Sequence, residues 1–89
     1  MYTGNYECLE LFVKPEAGKK GSVSLKKIKE NKTEIKELQH IYGNWIKFQT
    51  DKDTEYEITA QDCTITFAYL SECENILKNG ICVLNTTDN

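Results

Sequence analysis

The chain has 89 residues with a net charge of −3, 39% of them hydrophobic and 28% charged. That is the composition of one water-soluble folded domain, and it excludes a disordered chain or a second domain. A core of this size encloses no large cavity, so any sizeable ligand site is shallow or shared between subunits.

All 11 basic residues are lysine, so no guanidinium is present to clamp a phosphate or carboxylate with two parallel hydrogen bonds. No apolar run approaches the ~20 residues of a membrane span. The opening MYTGNYECLE carries neither the basic nor the apolar region of a signal peptide. The expectation is a cytoplasmic protein. Its four cysteines, Cys8, Cys63, Cys73 and Cys82, are then expected to be reduced and mostly buried. No C-x-x-C pair is present to suggest a zinc ribbon or a dithiol redox site.

Taken in chain order, Tyr6 to Val13 is apolar on both faces and predicts a strand, ended by Pro15. Gly18 to Gly21 predicts a turn. Residues 22–42 carry two patterns. Leu25, Ile28, Ile35, Leu38 and Tyr42 recur at helical spacing among lysines and glutamates, which favours a helix over part of the stretch. Alternation at Val23 and Leu25 with a turn at Asn31-Lys32 is the competing hairpin, pairing Ile28 with Ile35.

Gly43-Asn44 predicts a tight hairpin turn that pairs Tyr42 with Trp45. Strands at Trp45–Gln49, Glu55–Ala60 and Cys63–Tyr69 would follow as a meander. This register sends Ile41, Ile46, Phe48, Tyr56, Ile58, Ile65, Phe67 and Tyr69 to a core face. It sends His40, Tyr42, Trp45, Lys47 and Glu57 to a polar face, with Lys47 opposite Glu57. Ser71 and Glu74 have capping-box spacing, and Gly80 suits a helix C-terminus, so a helix is expected over 71–78. Ile81 to Leu84 predicts a short strand. The resulting fold class is α+β, an antiparallel sheet (the 37–70 meander plus the N-terminal strand) packed with one or two helices. It forms a single domain over 1–84 with a frayed tail at 85–89.

The function classes that need a catalytic constellation find none here. His40 is the one histidine, with no orienting partner nearby in sequence. No phosphate loop, nucleophile elbow or metal-binding motif occurs. Asp51, Asp53 and Glu55 alternate like the start of a calcium loop but lack its glycine and its closing glutamate. No enzyme, cofactor or metal is therefore expected.

Charge is uneven. Residues 14–36 carry +5 and residues 37–89 carry −6. Lys19, Lys20, Lys26, Lys27 and Lys29 are candidate anion-binding residues. Without an aromatic or arginine among residues 14–36, sequence-specific nucleic-acid reading is not expected there. Trp45, Tyr42, His40 and Lys47 form the candidate interface or ring-stacking group, since Trp and Tyr dominate protein contacts.

Two functions follow as expectations. The first is a small non-catalytic protein-binding protein, an inhibitor of a host factor encoded by a phage or mobile element, a source suggested by its lysine-, asparagine- and isoleucine-rich usage. The second is a protein that sequesters a nucleotide-like anionic ring ligand. A homodimer is expected, with Trp45 or the strand Leu9–Val13 at the contact.

Overall fold

A computed structural model describes residues 1–72 and 80–85. Among the described residues seven strands are formed: β1 Cys8–Pro15, β2 Ser22–Lys27, β3 Lys32–Glu37, β4 Asn44–Gln49, β5 Tyr56–Gln61, β6 Cys63–Ser71 and β7 Ile81–Asn85. They build two antiparallel sheets, one in the order β4-β1-β6-β7 and the other β3-β2-β5. The two inner faces enclose Leu9, Leu11 and Val13 of β1, Val23 and Leu25 of β2, Ile46 and Phe48 of β4, and Tyr56, Cys63, Ala68 and Leu70. The described residues form an all-β sandwich.

This corrects the α+β expectation. The described residues contain no helix. The helix expected over 71–78 lies largely outside them, as does most of the 85–89 tail. Within 22–42, β2 and β3 form a hairpin. Ser24, not Ile28, lies opposite Ile35, because Ile28 is already in the turn, where Asn31 takes the left-handed conformation (φ 54°). The helical stripe was a coincidence of spacing. Of its five members, Leu25 and Leu38 are buried, while Ile28, Ile35 and Tyr42 are exposed. β3 is an edge strand. The residues opposite the core positions Val23 and Leu25 of β2 are Lys36 and Glu34, charges on the inward side of the kind that keep an open edge from pairing with another chain. They also erase the alternation by which a strand is recognised.

The meander is corrected in its pairing rather than in its strands. β4 pairs with β1, β5 with β2, and β6 with β1, so the chain changes sheet at each of these connections. Asp62, in the left-handed region (φ 56°), makes the one-residue corner between β5 and β6. Lys47 therefore lies opposite Glu10, and Glu57 opposite Lys26.

No hairpin turn forms at Gly43-Asn44. Instead the buried Asn44 side chain holds the crossing from β3 to β4. Its Oδ1 accepts from the backbone N–H groups of Gln39 and His40 at 2.5 and 3.2 Å, and its Nδ2 donates to the His40 carbonyl at 2.9 Å. Gly43 packs closely there, since a Cβ would stand 2.8 Å from Cζ of Phe12 and the ring would have to shift. Ile41, assigned to the core, is 75% exposed on this loop.

One irregularity decides which side chains share a face. Between β1 and β6 the register shifts, so that Phe12 pairs with Phe67 but Val13 with Ile65. Thr66 is the extra residue of a β-bulge, which reverses the alternation. Ile65 therefore packs against the core while Phe67 and Tyr69 turn to the outer face of the sheet. β1, flanked by β4 and β6, has no free edge, which removes Leu9–Val13 as an edge for self-association.

The expectation of four reduced, buried thiols also fails. Cys8 is disulfide-bonded, whereas Cys63 is free and buried and Cys82 is free and exposed. Burial pushes the Cys63 thiol pKa up, lowering its reactive thiolate fraction. Alkylation of the native protein followed by mass spectrometry is expected to label Cys82 first, Cys63 slowly, and Cys8 only after a reductant is added.

Candidate functional site

Period-2 alternation places Phe12 and Glu10 of β1, Trp45 and Lys47 of β4, and Phe67 and Tyr69 of β6 on the outer face of the four-stranded sheet. Three ring planes run in a series. Phe67 stacks on Tyr69 with centroids 6.1 Å apart and planes within 9°, and Trp45 stacks on Phe67 at 5.8 Å and 27°. Phe12 meets Trp45 at 6.1 Å and a tilt of 43°. The series begins at buried Tyr69 and ends at Trp45, which is 47% exposed. Offset-parallel stacking of this kind is favourable by about 0.5–1.5 kcal/mol per pair beyond the area buried.

The orientation of that last ring is held by Glu10, whose Oε1 accepts the Trp45 indole N–H at 3.1 Å. Beside Trp45 lies a shallow cleft of about 420 Å³, lined by Lys36, Glu37, Gln39, Asn44, Ile46 and Lys47. Lys36 reaches across the open side of the sandwich, donates to the backbone carbonyl of Lys47, and places its ammonium 5.1 Å from the Phe48 ring centroid. The cleft therefore joins an aromatic wall to hydrogen-bond donors from Lys36 and Lys47, an acceptor from Glu37, and the Gln39 amide, which does both.

Trp45 and Lys47 share this face, as the sequence suggested. Tyr42 and His40 do not face Trp45 across a hairpin. Both are exposed on the β3–β4 connection, Tyr42 to 86%.

The five candidate anion-binding lysines are spread over different parts of the surface. Lys19 sits 3.5 Å from Asp62. Lys20 lines a different depression, with Gly21 and Gln61. Lys26 lies opposite Glu57 on the outer face of the three-stranded sheet. Lys27 is engaged by Asp51 and, at 2.9 Å, by Glu30. These hydrogen bonds to carboxylates hold its ammonium well above the usual lysine pKa. Lys29 is exposed in the β2–β3 turn.

Phe12, Phe67, Tyr69 and Glu10 were not recognised from sequence. The available signal was Glu10, a lone carboxyl at the middle of a strand that is apolar on both faces. Among the described residues no group of acidic, histidine or cysteine side chains could hold a metal ion, and no helix is long and apolar enough to cross a membrane.

No family model and no curated protein matches the chain. Among solved structures the chain resembles part of a glycoside hydrolase family 32 structure from Bifidobacterium adolescentis, with a TM-score of 0.80 at 22% identity. The match covers 99% of this chain and 14% of that one. At this identity the likeness is one of fold, and the chain spans about a seventh of the length of the protein it matches.

Proposed function

We propose that this β-sandwich is a non-catalytic carbohydrate-binding module, with the open ring of Trp45 and the adjoining cleft as its binding surface. The observation that carries the reading is the aromatic series Tyr69–Phe67–Trp45, which ends on a half-exposed indole beside donors and acceptors of both kinds. A sugar ring presents an apolar C–H face to an aromatic plane and hydroxyls, each donor and acceptor, around its rim. A phosphate-bearing ring ligand would need concentrated positive charge. Here Glu37 and Gln39 share the cleft with Lys36 and Lys47, which favours a polyhydroxylated ligand over a nucleotide. The fold likeness to part of a glycoside hydrolase structure is in keeping with this class of ligand. The disulfide at Cys8 supports an oxidising compartment, where extracellular glycans are met, rather than the cytoplasm.

A second reading, a protein partner, is favoured by one observation: Ile41 and Tyr42 stand exposed on the loop next to Trp45. In the carbohydrate reading they flank the site without touching the ligand.

Trp45 is the only tryptophan, so its fluorescence reports on the site alone. Titration with soluble oligosaccharides of differing linkage, with nucleotides as comparators, is expected to give a saturable change in Trp45 emission for at least one saccharide and none for nucleotides. Saturable binding of a nucleotide, or no response to any saccharide, overturns the proposal.

A further inference from the structure

We infer that Glu10 is a positioning residue, kept for the orientation it imposes on Trp45 and not for the stability of the fold; its purpose rests on the carbohydrate-binding reading, its action does not. Glu10 lies between the core residues Leu9 and Leu11 in the central strand, so its side chain is on the outer face of the sheet, opposite Lys47 on one side and Tyr69 on the other. An outer-face glutamate would ordinarily be solvated, yet Glu10 is 1% exposed. Its Oε1 takes the Trp45 N–H at 3.1 Å, and its Oε2 is buried with no hydrogen-bond partner among the described residues. Lys47, directly across, makes no ion pair with it among the described residues. A buried carboxyl oxygen without a partner opposes folding, and an apolar side chain of the same size, set among Phe12, Trp45 and Tyr69, would not incur that cost.

What the carboxyl supplies instead is direction. Ring contacts to Phe12 and Phe67 limit how near the indole comes, but they tolerate rotation. A hydrogen bond to the indole N–H is directional and sets the angle at which the last ring of the series meets a ligand.

The test compares Glu10→Leu and Glu10→Gln with the wild type in three measurements: thermal midpoint, quenching of Trp45 fluorescence by acrylamide together with its anisotropy, and saccharide affinity. For Glu10→Leu the expected result is a midpoint equal to or above wild type, a more quenchable and more mobile indole, and an affinity lower by up to about tenfold, the scale of re-ordering one freed side chain on binding. Glu10→Gln, which keeps an acceptor oxygen, is expected to restore the wild-type quenching and most of the affinity. A Glu10→Leu protein with a lowered midpoint and an unchanged indole would make Glu10 structural and overturn the inference. Should Glu10→Leu fail to fold, the inference is likewise overturned, because the residue would then be required for stability. If the wild type binds no saccharide, the function proposed above fails, while quenching and midpoint still decide the role of Glu10.

Discussion

Replacing Phe48 with alanine is expected to destabilise the domain by about 3–5 kcal/mol. Phe48 is fully buried and the largest of the fully buried side chains. It projects from β4 into the space between the sheets, opposite Leu9 of β1. Its removal leaves a cavity that the rigid ladders on either side cannot close. Lys36 then also loses the ring beneath its ammonium. For a domain of this size each kcal/mol moves the thermal midpoint by about 4–8 °C, so a fall on the order of 20 °C is expected, read by circular dichroism or by the urea midpoint.

Ile35→Ala is the informative control. In the helical reading of residues 22–42, Ile35 belongs to the buried stripe. In the sandwich it is 65% exposed on an edge strand, and its loss is expected to fall within about 0.5 kcal/mol of wild type. A large effect at Ile35 with a small one at Phe48 would be incompatible with the two-sheet arrangement.

The second large effect is on binding. Trp45→Ala removes the open end of the aromatic series and is expected to reduce saccharide affinity by about thirtyfold or more, on the scale of a dominant contact residue, about 2 kcal/mol and upwards. Because Trp45 is half-exposed, the same change is expected to cost the fold only about 1–2 kcal/mol, from lost packing on Phe12 and Phe67. The protein should therefore remain folded at room temperature. Since the variant has no tryptophan, isothermal calorimetry replaces fluorescence as the measure. Trp45→Phe, which keeps a ring but not the N–H, is expected to retain part of the affinity. Tyr42→Ala is expected to leave affinity unchanged, because Tyr42 stands on the β3–β4 loop outside the ring series. Equal losses at Tyr42 and Trp45 would favour a protein-sized contact over a ring ligand.

The amino-acid sequence alone identified most of the strands. The two-sided apolar run ended by Pro15 is β1. The predicted strands at 45–49, 55–60 and 63–69 coincide closely with β4, β5 and β6. The inward-facing pairs Ile46/Phe48 and Tyr56/Ile58 followed from alternation within each strand, which is a local property. Composition likewise bounded the size of the domain.

Pairing was decided only in three dimensions. A meander and a sandwich in which successive strands cross between sheets share the same local alternation. What distinguishes them is the two-sided burial of β1, which seats it between β4 and β6. The edge position of β3 hid a strand behind lysines and glutamates. The Asn44 side chain, by holding a crossing loop, turned an apparent hairpin signal into a change of sheet. The bulge at Thr66 rotated Phe67 and Tyr69 out of the core and beside Trp45 and Glu10, residues far apart in the chain. The aromatic series and its buried carboxyl exist because strand neighbours are chosen by the burial of whole faces, a non-local quantity that no window of sequence contains.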